Sequence, residues 1–306
     1  MTPALRVITP GLLTTIQDRG RPHAVAAGVP PGGAMDRFAH AAANLLVWND
    51  TSAATLECTM TGPRLVAERA CVIAITGADL APRINGREAP TWTSIALAEG
   101  DELAFGGRRL GARAYIAVAG GITGDRWLGS LSTNLMVARG GMRGRALAAG
   151  DVIAAGEPLA EPPQGATLDG TRRPDYTDHT LHAIPGPHPR KALFGAAFRV
   201  STDSNRMGYR LEGEPLDAPD EEILSFALVA GTVQVPPDGR PILLMADHQT
   251  AGGYPVAAVV VSASMLAAAQ LAPGDEVRFA EISIERALAM RAAQRAALES
   301  LTISSM

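Results

Sequence analysis

LAEGDELAF, residues 97–105, returns in the second half of the chain as LAPGDEVRF, residues 271–279. In each copy Gly-Asp-Glu leads into a short stretch of alternating character. Glycine permits the tight turn, and aspartate can hydrogen-bond back to its own backbone, so each copy reads as a turn feeding a strand. A shorter Gly-Asp-Val lies at 150–152. One long copy in each half points to two related β domains.

The flanking sequence agrees with that reading. Short apolar runs broken by glycine and proline predict strands at 7–9, 55–58, 71–75, 95–97, 103–105 and 113–119 in the first half. A second set falls at 181–184, 198–201, 223–229, 242–245, 256–261 and 277–279, with a further strand at 209–211. Many short strands without regular intervening helices favour a barrel or a sandwich over a doubly wound sheet. Helices are few. Asp36 can cap one running to about residue 48, a short one at 264–270 would be stopped by Pro273 and Gly274, and Ser283 can open a terminal helix to about residue 298. The polar, proline-bearing segment 161–179 has the composition of a linker and separates domains expected at 1–172 and 180–306.

The 306 residues can hold two cores. A formal charge of −4 with no basic block argues against a nucleic-acid partner. Lys191 is the sole lysine, which leaves little material for a Schiff base. Cys58 and Cys71 read as reduced core residues, not as a disulfide framework. The N-terminus lacks a basic start followed by a long apolar run, and no apolar stretch is long enough to span a bilayer, so the expectation is a cytoplasmic protein without membrane contact. There is no GxxxxGK[ST] loop and no HExxH, and the six histidines are scattered, so neither a phosphate loop nor a metal is expected.

Two polar stretches carry the chemistry. STDSNRMGYRLEG, residues 201–213, offers Asp203, Ser204 and the planar donor fork of Arg206, suited to a carboxylate, carbonyl or phosphate. The other reading of this stretch is a polar loop with one structural Asp–Arg pair. DHQTAGGYP, residues 247–255, follows directly on the apolar ILLMA of 242–246. Asp247 could accept a proton or orient Gln249, while Gln249 and Thr250 could read both edges of an amide or ureido group. Gly252 and Gly253 would let backbone amides approach a ligand or adopt conformations barred to other residues. Structurally, the same residues could simply cap a barrel. Gln17 and Asp18 could stabilise the fold or line a second cleft. A Ser204–His248–Asp247 triad finds little warrant in its spacing.

Together with PGLLTTIQDRGR at 10–21, GVPPGGAMDRFAHAAANLLVWND at 28–50 and IPGPH at 184–188, these stretches resemble the biotin-dependent carboxyltransferase-like family. That family includes allophanate hydrolase subunit 2-like proteins, KipI antagonists and the C subunit of 5-oxoprolinase, and the chain looks like the last of these. The likeness runs over about residues 5–280. It implies a mainly β protein of two cyclophilin-like β-barrel domains, few short helices, a C-terminal helix and a cleft between the barrels. It also implies membership of an ATP-dependent 5-oxoprolinase complex that opens 5-oxo-L-proline to L-glutamate. The partners would be a KipI-like B subunit and a separate A subunit, with ATP used by the complex and not held by this chain. Carboxyl transfer from biotin to urea or a related amide is one alternative, and only there would biotin enter. Regulation through a KipI-like protein is the other. Carried over position by position, the resemblance gives Arg206, Asp247, Gln249 and Thr250 catalytic roles in the cleft. Asp203, Ser204, Gly252, Gly253 and Tyr254 would bind substrate. Ala251 stands where the family more often has a second threonine, so position 251 has no hydroxyl to offer.

Overall fold

The computed structural model describes residues 2–217 and 223–303, with the side chains of 302 and 303 left aside. Contacts divide the chain into two compact units. The first comprises Met1–Gly20, Asp36–Pro174 and Arg295–Met306, and the second Arg21–Met35 and Asp175–Gln294.

The first unit contains β1 (Thr2–Thr9), β2 (Leu13–Gln17), α1 (Arg37–Leu46), β3 (Thr55–Thr59), β4 (Arg64–Ala67), β5 (Cys71–Asp79), β6 (Pro82–Ile84), β7 (Arg87–Glu88), β8 (Thr93–Leu97), β9 (Glu102–Phe105), β10 (Leu110–Val118) and β11 (Val152–Ala155). They form a six-stranded sheet, β11-β1-β4-β9-β6-β7, and a five-stranded sheet, β2-β3-β10-β5-β8. Alternate residues of both sheets, among them Leu5, Leu65 and Leu103 from one and Leu56, Ile73 and Ile116 from the other, meet in a single apolar core. Ile122 bridges to Ala54 and to Ala155, stitching the two sheets along one edge. Helix α1 packs on β5 and β10. Its N-terminus is fixed as expected, with the Asp36 carboxylate accepting from Ala39 N at 2.9 Å. Asp36 N in turn donates to the Tyr115 hydroxyl, which donates to Glu57 at 2.8 Å, so a buried polar chain ties the cap to the sheet.

The second unit contains β12 (Thr180–Pro185), β13 (Ala197–Val200), β14 (Gly208–Glu212), β15 (Phe226–Ala227), β16 (Thr232–Gln234), β17 (Ile242–Leu244), β18 (Ala251–Gly252), β19 (Val256–Val260), α2 (Met265–Gln270) and β20 (Glu276–Glu281). Seven strands close a barrel in the order β12-β19-β16-β17-β14-β13-β20, and its seam is the parallel pair β12–β20. Leu181, Phe198, Tyr209, Val233, Leu243 and Phe279 are among the side chains that fill it. Helix α3 (Ile284–Ile303) follows β20 and packs Ala287 and Met290 against Val261, Ala263 and Ile282.

The fold is mainly β, with one closed barrel and a long C-terminal helix. The expectation of two barrels is met by closure in the second unit; the first-unit strands lie in two sheets around one core. The expected strand at 223–229 is reduced to the two residues of β15, which pair with β18. Its apolar run is split: Leu228 is buried with Phe226 packed beside its cluster, while Leu224 and Val229 are exposed. Conversely β2, with the sequence LTTIQ, is buried along most of its length although two of its five residues are threonine. Cys58 and Cys71 are free thiols, and burial pushes the Cys58 thiol up to about 12. Among the described residues no helix is long and apolar enough to cross a membrane.

The repeated Gly-Asp turns share one construction. Gly100, Gly150 and Gly274 all have φ between +85° and +91°. Asp101, Asp151 and Asp275 each accept from the backbone N–H three residues earlier, at 2.7, 2.7 and 2.8 Å. Each glycine N–H donates to a neighbouring strand, at Ala67, Val7 and Val200 respectively. The third copy, only Gly-Asp-Val in sequence, is thus structurally equal to the other two. A Cβ at Gly274 meets nothing within 4 Å, so Gly274→Ala isolates the cost of the left-handed backbone. We expect a loss of about 1–2 kcal/mol in chemical denaturation; an unchanged midpoint would show that the turn can relax.

Candidate functional site

The stretches singled out in the sequence meet at one end of the barrel. Beyond the ladder of β14 and β17, the backbone pairing continues: Met245 N donates to Met207 O and Asp247 N to Arg206 O, at 3.0 and 2.8 Å. This extension places the two side chains opposite one another. Arg206 Nε donates to Asp247 Oδ2 at 2.8 Å and Nη2 to Oδ1 at 3.3 Å, with both side chains less than a tenth exposed. Arg206 Nη2 also donates to the Gly33 carbonyl at 2.7 Å. Segment 21–35 is held alongside by Gly32 N donating to Ala246 O at 3.0 Å and Arg21 N to Pro31 O at 2.6 Å. Gly32 is required here. At φ +64° a Cβ would stand 2.9 Å from Arg21 Nη1 and 3.4 Å from Asp247 Oδ1. Arg206 and Asp247 thus form a buried, charge-assisted pair, with the Arg21 guanidinium on the other side of Gly32.

Both oxygens of Asp247 accept from Arg206. The residue that follows, His248, turns its Nδ1 to the Gln249 carbonyl at 2.7 Å, which takes that nitrogen away from a Ser204–His248–Asp247 relay. Ser204 is instead engaged with the backbone of Arg210, which donates to its hydroxyl at 3.1 Å. Asp203 faces solvent. These two residues shape the 201–210 turn, Asp203 N donating to Ser201 Oγ at 3.4 Å. Tyr254 is 44% exposed.

Gln249 and Gly252 gather with a residue that the sequence pattern did not single out. Gln249 Nε2 donates to Gln234 Oε1 at 3.4 Å, a long bond. Gln234 lies on β16 between Val233 and Val235, both core residues, so it projects from the outer side of the barrel wall. It is nonetheless 1% exposed, because Leu228, Leu244 and Val256 form a small apolar cluster there beside β15 and β18. Its Nε2 has no hydrogen-bond partner among the described residues. A Cβ at Gly252 would stand 2.9 Å from Leu228, 3.1 Å from that nitrogen and 3.2 Å from Gln249 Nε2. Gly252 and Gly253 have ordinary negative φ, so their reason is clearance and not backbone conformation. Thr250 contributes its carbonyl to Leu228 N at 3.0 Å. Arg21 and Gln234 are the residues missed. Gln234 had a usable signal, a polar side chain alternating with core valines; Arg21 had none.

In the first unit Gln17 and Asp18 form a structural knot. Asp18 accepts from the hydroxyls of Ser130 and Ser132 and from Leu131 N, all at 2.6 Å, and from Gly20 N at 2.8 Å. Gln17 Nε2 donates to Thr15 Oγ1 and to the Thr133 carbonyl.

The closed barrel and the polar cluster at its end fall within residues 27–281, which match the family described as "Carboxyltransferase domain, subdomain A and B". The chain belongs to this carboxyltransferase and allophanate-hydrolase-like family, which is enzymatic. Among its relatives, the C subunit of 5-oxoprolinase from Escherichia coli (strain K12) is 36% identical over 305 residues, covering 97% of each chain. Urea amidolyase of Lachancea kluyveri is 31% identical over 97% of this chain, which spans 18% of that protein. The crystal structure of the K. lactis urea amidolyase matches 98% of this chain with a TM-score of 0.92 at 28% identity, and the chain spans 20% of it.

Proposed function

We propose that this chain is the amide-binding component of a multi-protein enzyme acting on a small amide, ureide or lactam. The observation that carries this reading is the pairing of Gln234 on β16, whose buried amide donor has no partner among the described residues, with Gln249 on the loop that follows the Arg206–Asp247 pair. An unmatched buried donor costs about 1–3 kcal/mol, which a bound carbonyl or carboxylate oxygen would return. In this reading Arg206, oriented by Asp247 and the Gly33 carbonyl, supplies fixed positive charge. Gln249, with Thr250 beside it, hydrogen-bonds the substrate. Charge developing on the substrate oxygen is stabilised by these donors.

Two reactions suit the site. Carboxyl transfer to an amide nitrogen is supported by the carboxyltransferase description and by the likeness to urea amidolyase over almost the whole chain. The amide donors of Gln234 and Gln249 suit a ureido oxygen, so they would hold biotin or the acceptor; biotin, when bound, supplies the carboxyl group. Opening of 5-oxo-L-proline to L-glutamate is supported by the end-to-end match with a stand-alone C subunit. There the companion A and B subunits would use ATP. The first reaction has the wider support, and the second has the matching chain length.

Reconstitution separates them. The chain, mixed with its companion subunits, is assayed in parallel for ATP-dependent glutamate release from 5-oxoproline and for biotin-dependent carboxylation of urea. Turnover in one assay assigns the reaction; turnover in neither, under conditions that support a known complex of each type, refutes the enzymatic reading. Gln234→Leu should raise KM about tenfold or more with little change in melting, since it removes the buried donor without opening a cavity. An unaltered KM would place the substrate elsewhere.

A further inference from the structure

Segment 124–145 of the first unit holds no strand or helix longer than an isolated bridge, yet it is held firmly. Paired backbone bonds join Trp127 with Ser130, Asn134 with Arg139, and Asp125 with Gly141. The Asp18 knot grips Ser130, Leu131 and Ser132 from below, while Thr133 N donates to Ile16 O at 2.9 Å. The Asn134 carboxamide oxygen accepts from Met136 N and Val137 N, closing the tip. Three residues other than glycine, Leu128, Ala138 and Arg143, are held at φ between +48° and +53°. Such conformations persist only where the surroundings over-determine them, and they concentrate at functional positions.

What this scaffold presents is apolar. Leu135, Met136 and Val137 are 41%, 73% and 52% exposed, side by side at the tip. Three consecutive exposed apolar residues on a rigid loop are an interaction feature and not a solvated turn. The surround is basic. The segment has four arginines, at 126, 139, 143 and 145, against the single acid Asp125, in a chain whose formal charge is −4. Arg126, Arg139 and Arg143 are exposed around the tip. Two copies of such a surface would repel, so a like-with-like dimer through this loop is disfavoured.

The geometry points to the 135–137 tip as a preformed docking surface for a different protein, one that offers an apolar groove edged with carboxylates. Preorganisation matters here because a loop already fixed loses little conformational entropy on binding. This assignment rests on the multi-protein reading above, and the partner it concerns is a companion subunit of that complex.

The test measures binding, not turnover, with the companion subunits used in the reconstitution as probes. By titration calorimetry, Met136→Glu should weaken association about tenfold or more, as for an apolar anchor. Arg139→Glu combined with Arg143→Glu should slow association and flatten its salt dependence. Melting temperature should stay unchanged in both, because these side chains are exposed. Leu159→Glu, at a fully exposed site elsewhere, should bind as the parent does. Parent-like affinity for Met136→Glu, or no companion binding by the parent chain, would overturn the assignment. So would a concentration-dependent homodimer that Met136→Glu abolishes. A complex that forms normally but turns over neither substrate would leave the docking surface standing and remove the functional reading instead.

Discussion

Asp247→Ala should lower the unfolding free energy by about 3–5 kcal/mol, the cost of removing one partner of a buried ion pair. Arg206 is less than a tenth exposed, and the Gly33 carbonyl to which it also donates carries no formal charge. Asp247→Asn keeps the shape and an acceptor but not the charge, so its loss should be smaller yet still measurable. Removing both partners tests the mechanism more sharply. Arg206→Met with Asp247→Leu removes the ion pair together with its desolvation penalty, and should cost less than the two single losses added. Urea unfolding midpoints at constant slope give all four numbers. If Asp247→Ala costs under about 1 kcal/mol, the pair behaves like an exposed one and the loop is not anchored as described. Because the same carboxylate orients Arg206, turnover should fall in Asp247→Asn even at temperatures where the protein is fully folded.

The second large effect is expected at Asp18, in the other unit. Alanine there strands the hydroxyls of Ser130 and Ser132 and the N–H of Leu131 in a buried setting, a loss of about 3–4 kcal/mol. Burial alone would push this carboxyl up. The bonds from Ser130, Ser132, Leu131 and Gly20 together outweigh it and hold the group below its ordinary 3.8. The folded state therefore binds its proton less readily than the unfolded state. Its contribution is complete above pH 3.8 and is lost as pH falls below that value towards the folded one. His40 acts in an adjoining window. Burial pushes it down to about 4 from 6.5, so stability declines as pH falls between those values. Unfolding midpoints across pH 7 to 3 should fall in two limbs; Asp18→Ala should flatten the more acidic one and, by removing a charge that favours His40 protonation, extend the His40 limb to lower pH. A profile unchanged below pH 3.8 in that variant would show the carboxylate to be solvated.

Much of this was legible in the chain, and the limits have physical causes. Asp36, the Gly-Asp turns and the strand-ending cluster at 247 were readable because caps, left-handed glycines and polar residues abutting apolar runs each have one local explanation. Arg206 and Asp247 were selected separately; their pairing depends on a register between β14 and β17 that neither stretch encodes alone. Arg21 was hidden because burial of an arginine comes from segment 21–35 packing in the second unit, and nothing in GRP announces that. Asp203 and Ser204 were expected to bind substrate beside a catalytic Arg206. Their different fate follows from the turn at 201–210, which spends Ser204 on the backbone of Arg210. The run 223–229 was read as one long strand because its apolar content was visible, while the exposure of Leu224 and Val229 was not.

Assignment of residues 21–35 to the second unit has a consequence for how the protein is made. Met35 belongs to the barrel core, and the Gly33 carbonyl accepts from Arg206, yet both are synthesised long before any barrel strand. On the ribosome this segment must wait, solvated, while Asp36–Pro174 emerges and folds. The barrel cannot mature as an autonomous late product, and a gene fragment begun at residue 175 would encode a barrel short of one core side chain and one arginine acceptor. Folding that is not strictly N-terminal domain first, with a slow closing step governed by this early segment, is what the chain order imposes.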